Sequence, residues 1–216
     1  MRVQLISYSQ TAEGAGSLQD LVAYCARVSN PANQCNKETN ERLISYLISH
    51  QHWSPLEMVS LCLEIETTRD IARQILRHRS FSFQEFSQRY AEANLGTELR
   101  EARLQDTKNR QNSLETNDEA LKALWDEKQE AVAQVTSEAY QWALSHGIAK
   151  EQARVVLPEG MTTSRMYVNG TLRSWIHYIQ LRSGNGTQKE HQEVALACAD
   201  AIAAIYPMIR DFCVSV

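Results

Sequence analysis

The stretch of residues 117–145 constrains the fold more than any other part of this chain, because it contains neither glycine nor proline. Its apolar residues, Leu121 and Trp125 among them, recur at helical spacing. His146 and Gly147 follow, and a glycine just beyond the last apolar position is typical of a helix end. The pattern predicts one long helix in the second half of the chain.

The clearest strand covers residues 59–66, where apolar and polar side chains alternate, so that one face is core and the other is polar. Residues 3–8 alternate in the same way and predict an opening strand. Residues 162–168 are β-prone and are followed by a predicted turn at Asn169 and Gly170. Together with the helices, these strands predict an α+β fold, with helices around a small antiparallel sheet.

Shorter helices are predicted between the strands. Ser17 caps the first of them, and the next begins at about Asn40. The others are predicted at residues 67–79, 150–157, 172–181 and 187–206. A polar stretch at residues 91–116 is predicted to be irregular. Because the sequence shows no internal repeat and no break in composition, residues 1–216 are predicted to form a single domain.

The composition limits where the protein works and what it binds. The formal charge of -4 gives no general attraction to nucleic acid, so any site for a polyanion must be local. The five cysteines are odd in number and form no C-x-x-C pair, which argues against a disulfide framework and a structural zinc site. The residues at the start lack the long apolar run that is typical of a signal peptide, and no apolar stretch is long enough to span a bilayer. A soluble, cytoplasmic protein without a membrane partner is predicted.

One short segment holds four cationic side chains within thirteen positions, at Arg77, His78, Arg79 and Arg89. Arginine stays charged at any working pH, and an unpaired charge is expensive to bury, so the cluster needs an anionic partner. Only two acids, Asp70 and Glu85, lie nearby in the sequence, and a ligand is the other source. The segment therefore predicts either an anion-binding site or a solvated helix end whose cations are favoured by the helix dipole.

Other cations stand at spacings that could extend such a site. The predicted helix at residues 67–79 places Gln74, Arg77 and His78 side by side on one face. Further along the chain are Arg154, Arg173, His177 and Arg182. Each of these alone is typical of a protein surface. Together they would form an arginine-rich pocket, and guanidinium forks match phosphate monoesters and diphosphates.

Several familiar sites are excluded by the sequence. There is no G-x-G-x-x-G and no G-x-x-x-x-G-K-[ST] motif, so neither a Rossmann dinucleotide site nor a P-loop is present. His50 and His52 lack a carboxylate or cysteine at matching spacing, which favours a helix end and a turn over a metal site. Ser87 lies in no nucleophile elbow, and spacing alone does not pair it with His78 as a base.

The order Arg-His-Arg, seven residues, Ser, one residue, Arg-Tyr is complete at residues 77–90, and it resembles the signature of the flavin-dependent thymidylate synthases. Residues 52–57 are similar to the family's H-x-[ST]-P-x-E stretch, and residues 151–158 to its E-x-A-R-x-x-L-P. Residues 173–182 are similar to the helix that carries its last ligands. Two features depart from the family: the histidine that some relatives carry near the position of Gly186 is absent, and residues 91–116 have no clear counterpart.

The resemblance implies two sets of ligand-binding residues and no metal. FAD, one per active site, would contact Ser54, Arg77, His78, Arg79, Glu85, Thr171, Arg173 and His177. The substrate dUMP would contact Gln74, Arg77, Glu85, Ser87, Gln88, Arg89, Arg154 and Arg182. Arg182 is the implied catalytic residue, a fixed guanidinium near N3 and O2 of the uracil that stabilises negative charge developing on the ring.

The resemblance also implies the reaction and the assembly. A methylene from methylenetetrahydrofolate is moved onto C5 of dUMP, and reduced FAD, refilled from NADPH, supplies the hydride, which gives dTMP and tetrahydrofolate. The family is homotetrameric with shared active sites. A short chain that holds these ligands without a Rossmann unit is itself expected to build its pocket between subunits. None of the cysteines lies in an electropositive motif, as a thymidylate synthase with a cysteine nucleophile would require.

Two other functions remain open from the residues alone. The arginines of residues 77–90 are interleaved with Phe81, Phe83, Phe86 and Tyr90, as in proteins that bind single-stranded nucleic acid. The acidic total charge and the lack of a wider basic face count against this hypothesis. The third reading is a structural protein whose arginines pair with its many acids. Bound FAD, visible as a yellow colour, distinguishes the enzyme from both alternatives, and no nucleic-acid partner is predicted.

Overall fold

The computed structural model describes residues 1–12, 14, 16–93 and 96–213. In chain order its elements are β1 (Arg2–Tyr8), α1 (Leu18–Ala26), α2 (Asn40–Ser49), β2 (Ser60–Thr68), α3 (Arg69–Ile75), β3 (Ser82–Glu85), β4 (Arg103–Gln105), β5 (Ser113–Glu115), α4 (Glu119–Ser145), α5 (Lys150–Ala153), β6 (Thr163–Thr171), α6 (Leu172–Arg182) and α7 (Lys189–Ala203). Short 3-10 helices lie at Pro31–Asn33, Ser54–Glu57, Arg154–Val156 and Pro207–Phe212.

A four-stranded antiparallel sheet in the order β1-β2-β6-β3 organises the fold. On β2 the apolar residues Leu61, Leu63 and Ile65 are buried, and the residues between them are only half-buried. The register sets Val168 of β6 opposite Leu63 and Met166 opposite Ile65, so the same face is apolar on both central strands. This arrangement confirms the predicted strand with one core face.

Helices α6 and α7 supply a large share of the residues that pack with this sheet in one buried core. The α6 and α7 residues in that core include Trp175, Ile176, Ile179, Val194, Cys198 and Ile202. The Nε1 of Trp175 donates a hydrogen bond to the carbonyl oxygen of Leu61 at 3.2 Å, which anchors α6 to β2. The predicted α+β fold, with helices around a small antiparallel sheet, is confirmed.

Helix α4 has the predicted long form but packs only in part. Asp118 caps it by accepting a hydrogen bond from the backbone N–H of Leu121 at 3.0 Å. Near its end, Tyr140 and Ala143 are buried with Ala153 in a second, smaller apolar cluster. Other apolar side chains along it are exposed, namely Leu124, Trp125, Val132, Val135 and Trp142. A helix that faced only water would carry charged or polar side chains at such positions.

Helix α3 is shorter than the helix predicted at residues 67–79, so the prediction is wrong at both ends. Thr67 and Thr68 continue β2 and pair with β6, because β-branched residues suit a strand when a neighbouring strand is present. After Ile75 the chain turns, and the N–H of His78 donates to the carbonyl oxygen of Ile75 at 3.0 Å. The residues beyond this point are therefore no longer part of the helix, and their side chains do not follow its helical spacing.

The predicted turn at Asn169 and Gly170 is also wrong, because β6 continues through both residues. Gly170 pairs with Leu61 of β2. A Cβ atom at Gly170 would lie 2.4 Å from Cδ1 of the Phe81 ring. Sheet pairing therefore overrides the local turn preference, and the glycine serves a close approach between the strand and an aromatic ring.

Residues 91–116 are not irregular throughout, because β4 and β5 form an antiparallel hairpin there. Asp106 accepts hydrogen bonds from two backbone N–H groups of the connecting loop, at 2.8 and 3.2 Å. The carbonyl oxygen of Arg100 accepts from Nε1 of Trp125 and Nε2 of Gln129, each at 2.9 Å, which fastens the segment to α4. Three-residue strands carry too short a pattern to be read from the sequence.

Two other helices differ from their predictions only at their ends. The helix predicted at residues 187–206 ends at Ala203, and the helix predicted at residues 150–157 is α5 followed by a 3-10 turn. At the end of α2, Nδ1 of His50 lies 2.9 Å from the carbonyl oxygen of Tyr46, and the two rings stack at 4.0 Å. Among the described residues, no helix is long and apolar enough to cross a membrane.

Candidate anion-binding site

The turn after α3 brings His78 against the end of α6. The N–H of Phe81 donates to the carbonyl oxygen of His78 at 3.2 Å, and the Phe81 ring packs on Trp175 with centroids 4.7 Å apart. Arg182, the last residue of α6, donates from Nε to Nε2 of His78 at 2.9 Å. Two predicted site residues that are 104 positions apart in the sequence are therefore in direct contact.

This contact fixes the protonation of His78. Because Nε of Arg182 carries a hydrogen, Nε2 of the imidazole must accept, and the proton of the neutral ring lies on Nδ1. Burial, followed by the charges of Arg182 and Arg77, lowers the pKa of His78 to about 4. The ring is therefore neutral at pH 7.

Gln74, predicted to bind dUMP, lies behind this contact. Its Oε1 is 3.1 Å from Nδ1 of His191, and its Nε2 donates to Oε1 of Gln188 at 2.9 Å. His191 is fully buried, and its Nε2 lies 3.1 Å from the hydroxyl of Tyr178. The rings of His78 and His191 have centroids 6.4 Å apart. We call His78, Arg182, Gln74, His191 and Tyr178 the His78 cluster.

His191 was not predicted as a site residue, although the sequence carries a signal for it. His191 precedes Val194 and Ala195 by three and four positions, which places it on the buried face of α7. A histidine on an otherwise apolar face needs hydrogen-bond partners from other elements. Gln74 on α3 and Tyr178 on α6 are those partners.

Three arginines beside or within the cluster form no ion pair with a carboxylate anywhere in the described part of the chain: Arg77, Arg79 and Arg182. The two acids near them in the sequence have other partners. Asp70 pairs with Arg100 at 3.0 Å, and Glu85 pairs with α3. Arg77 and Arg79 are exposed, so their guanidinium groups are open to water and to an anionic ligand.

Glu85 joins β3 to its neighbours. Its carboxylate lies 3.5 Å from Nη1 of Arg69 and 3.6 Å from Nη1 of Arg73, and it accepts a hydrogen bond from the hydroxyl of Ser164 at 2.9 Å. Burial lowers the pKa of Arg69, and the charge of Glu85 opposes that shift. Glu85 is thus already engaged by cations of its own chain, and any ligand would share it with them.

A second group of predicted residues lies at the start of α6. Thr171 caps the helix by accepting from the N–H of Ser174 at 3.3 Å. Arg173 donates to Glu57 in the 3-10 helix that begins at Ser54, and the exposed ring of His177 packs on Trp53 with centroids 4.4 Å apart. Arg173 and Arg182 are nine residues apart, about two and a half turns, so they lie on opposite faces of α6.

The remaining predicted residues form a third group near α5. Arg89 lies 3.6 Å from a carboxylate oxygen of Glu151, and Nε of Arg154 donates to the backbone carbonyl of Glu151 at 3.3 Å. Gln88 is buried. The hydroxyl oxygen of Ser87 accepts from the N–H of Arg89 at 3.4 Å. By their contacts in the described structure, the predicted site residues therefore fall into three groups.

The aromatic residues of the nucleic-acid hypothesis do not form a stacking surface. Phe81 is buried in the core, and Phe83 and Phe86 are only half-exposed. Only Tyr90 stands free, with 86% of its surface exposed. Bases stack on exposed aromatic faces, so this segment lacks the surface that single-stranded nucleic acid requires.

We expect the folded protein to lose stability as the pH falls from about 6.5 toward 3. Burial, followed by Arg182 and then His78, lowers the pKa of His191 to about 3, and that of His78 is about 4. Below the ordinary pKa of 6.5 the unfolded chain binds more protons than the folded one, so this contribution is complete above pH 6.5 and is lost as the pH falls toward the folded values. Thermal unfolding measured from pH 7 to pH 5 checks it. A His191→Phe variant should show a shallower decline, and an equal slope would contradict this assignment.

Three comparisons place these residues among known proteins. The family model described as thymidylate synthase complementing protein (Thy1) matches residues 5–208. A protein of Paramecium bursaria Chlorella virus 1 named probable flavin-dependent thymidylate synthase is 48% identical over 210 residues, which cover 97% of each chain. The flavin-dependent thymidylate synthase of Synechocystis sp. is 51% identical over 193 residues, 89% of this chain and 88% of that one.

The fold has solved counterparts as well. The crystal structure of the UMP/dUMP methylase PolB from Streptomyces cacaoi, bound with 5-Br dUMP, matches 97% of this chain and 93% of its own chain. The TM-score is 0.82, and the sequences are 27% identical. The similarity therefore extends over nearly the whole chain and is not limited to the residue 77–90 signature.

Proposed function

Because the chain belongs to the family of flavin-dependent thymidylate synthases, we propose that the His78 cluster is part of its active site, where FAD and dUMP bind. The protein is a methyltransferase that converts dUMP to dTMP in a flavin-dependent reaction. One observation carries the location of the site. Arg182 contacts His78 beside Arg77 and Arg79, and none of these three arginines has a carboxylate partner in the described chain.

The residues predicted to hold FAD fit this cofactor in charge. Arg77 and Arg79 are exposed, and their guanidinium groups match the diphosphate of FAD. When bound, FAD supplies the reducing electrons for the new methyl group. The neutral imidazole of His78 offers an Nδ1–H donor to a ligand, because its Nε2 is occupied by Arg182.

Arg182 is proposed as the catalytic residue toward dUMP. Its Nε is fixed on His78, and its four Nη hydrogens remain for a ligand. Anchored at the end of a buried helix, the guanidinium is pre-organised where negative charge develops on the uracil. Methylenetetrahydrofolate is the carbon donor in this proposal. Arg89 and Arg154, which both contact Glu151, would bind the phosphate of dUMP together with Ser87.

The active site is proposed to form between copies of the chain in a homotetramer. The Arg173 and Arg182 faces of α6 point in opposite directions, so one copy does not enclose both groups of FAD residues. Exposed apolar side chains on α4 and on the edge strand β1, where Ile6 and Tyr8 are exposed, offer the surfaces for a second copy. Light scattering should give the mass of an oligomer, and a fully active monomer would refute this assembly.

Flavin binding and coupled oxidation test the proposed function directly. Purified protein supplied with FAD should retain it and become yellow, and NADPH, the proposed reductant, should bleach the flavin in the absence of oxygen. With dUMP and methylenetetrahydrofolate present, dTMP should form. If the protein neither retains flavin nor consumes NADPH, the proposed function is wrong. We place the reaction in the cytoplasm, which the five free cysteines support.

Ser87 is expected to be a ligand and not a nucleophile. Its hydroxyl accepts a hydrogen bond from the backbone of Arg89, and no histidine is among its hydrogen-bond partners in the described structure. Without a base to activate it, a serine is a weak nucleophile. Ser87→Ala should therefore keep measurable dTMP formation, with the main change in the KM for dUMP. A covalent adduct trapped on Ser87, or complete loss of product with intact binding, would reverse the assignment.

A further inference from the structure

A chain of hydrogen bonds runs through the buried side of the His78 cluster. It begins at the hydroxyl of Tyr178, 3.1 Å from Nε2 of His191, and continues from Nδ1 of His191 to Oε1 of Gln74 at 3.1 Å. Gln74 is joined to Gln188 at 2.9 Å, and Gln188 to a carboxylate oxygen of Glu190 at 2.9 Å. This series of hydrogen bonds thus connects α3, α6 and the start of α7.

The carboxylate of Glu190, at one end of this series of hydrogen bonds, determines which group donates and which accepts in each of them. Burial alone would raise the pKa of Glu190, but hydrogen bonds from its own backbone N–H and from Gln188, with the charges of Arg100 and Arg103, lower it. Both arginines pair with Glu190, Arg100 at 3.1 Å. The carboxylate is therefore ionised and can only accept hydrogen bonds.

The other groups follow from this acceptor by elimination. Gln188 must donate to Glu190 through Nε2, which turns its Oε1 toward Gln74. Gln74 then donates through Nε2 and turns its own Oε1 toward His191. Nδ1 of His191 must carry the proton, and Nε2 accepts from the hydroxyl of Tyr178. Reversing any one group would place two donors or two acceptors face to face.

From this geometry we infer that His191 is a positioning residue, which holds the side-chain amide of Gln74 in a single orientation for dUMP. One N–H and one carbonyl lone pair of Gln74 remain free for the nucleotide after its two internal hydrogen bonds. If the side-chain amide of Gln74 were rotated by 180°, its free N–H and its free carbonyl lone pair would exchange places. The inference rests on the proposed function, in which Gln74 contacts dUMP.

Packing alone does not explain a histidine at this position. His191 is fully buried, and its neighbours on the same face of α7, Val194, Ala195 and Cys198, are apolar or nearly so. An apolar side chain would fill the space without the cost of removing an imidazole from water. The histidine contributes a donor to Gln74 that no apolar residue can supply.

Binding of dUMP to the FAD-loaded enzyme, measured by calorimetry, tests the inference. His191→Phe keeps a ring but loses the donor, and it should weaken dUMP binding roughly tenfold, the effect of one lost hydrogen bond of this kind. His191→Asn should recover most of the affinity, because its Nδ2 lies as many bonds from Cα as Nδ1 of histidine. Ile202→Val, a loss of packing at a fully buried position of the same helix, should bind dUMP as the wild type does.

Wild-type affinity in His191→Phe would overturn the inference, and so would an equal loss in His191→Phe and His191→Asn. Gln74→Ala separates the possible failures. If it binds dUMP normally while the wild type forms dTMP, then Gln74 is not a ligand, and the inference fails although the proposed function stands. A wild type that forms no dTMP refutes the function itself.

A measurement on the wild type covers the case in which His191→Phe does not fold. In enzyme labelled with ¹⁵N-histidine, the signals of His191 should show a protonated Nδ1 and a bare Nε2 at pH 7. The assignment follows from the signal that is missing in His191→Asn. The opposite tautomer would contradict the direction of the hydrogen-bond chain and overturn the inference.

Discussion

Replacing Arg182 by alanine is expected to lower the rate of dTMP formation roughly a hundred to a thousandfold, because removal of one donor that stabilises developing charge commonly has this effect. The guanidinium is held at the end of α6 by its contact with His78, so it needs no rearrangement as charge develops on the uracil. NADPH should still reduce the bound flavin in this variant. Stopped-flow reduction of the flavin and dTMP formation, measured separately, distinguish the two steps.

Arg182→Lys should recover little of the lost rate. A lysine has a single compact ammonium, which cannot both replace the Nε contact with His78 and present a planar fork to the nucleotide. Arg210→Ala is the matched control, since this arginine is exposed, pairs with Asp200 at 3.0 Å and is not a predicted site residue. Equal losses of flavin reduction and methylation in Arg182→Ala would make Arg182 a residue that holds the flavin or the fold.

Replacing Gly170 by alanine is expected to destabilise the folded protein by about 1 to 3 kcal/mol, the usual effect of overpacking a core. The added Cβ would lie 2.4 and 2.6 Å from two carbons of the Phe81 ring. That ring cannot easily move, because it is buried against Trp175 and lies 5.9 Å from Tyr178. Thermal unfolding should show a midpoint lower by roughly 2 to 4 °C for each kcal/mol in a chain of this size.

Gly160→Ala is the matched control for this change, because no described residue other than its two chain neighbours has an atom within 4 Å of a Cβ built at Gly160. It should unfold at or slightly above the wild-type temperature, as expected when an added methyl group only restricts the unfolded chain. Gly170→Ala should also lose activity, because Phe81 donates a backbone hydrogen bond to His78. A wild-type midpoint in Gly170→Ala would mean that the Phe81 ring yields at little cost.

The sequence by itself determined the helices and strands in which the periodic pattern of apolar residues is long. The alternation on β2 and the long α4 without glycine or proline were predicted because periodicity over eight or more residues records which face is buried. The complete signature at residues 77–90 indicated the family, since six fixed residues rarely agree in type and spacing by chance. His78, Gln74 and Arg182 were all predicted as site residues from this similarity.

Only the tertiary structure decided where pairing with a neighbouring strand overrides the local backbone preference of the residues. Asn169 and Gly170 favour a turn, yet β6 continues through them because β2 offers pairing partners. The contact between Arg182 and His78, the separation of Arg173 onto the other face of α6, and the hydrogen bonds of His191 all join residues far apart in the chain. Such contacts depend on how helices pack on the sheet, and no periodicity within a single segment records them.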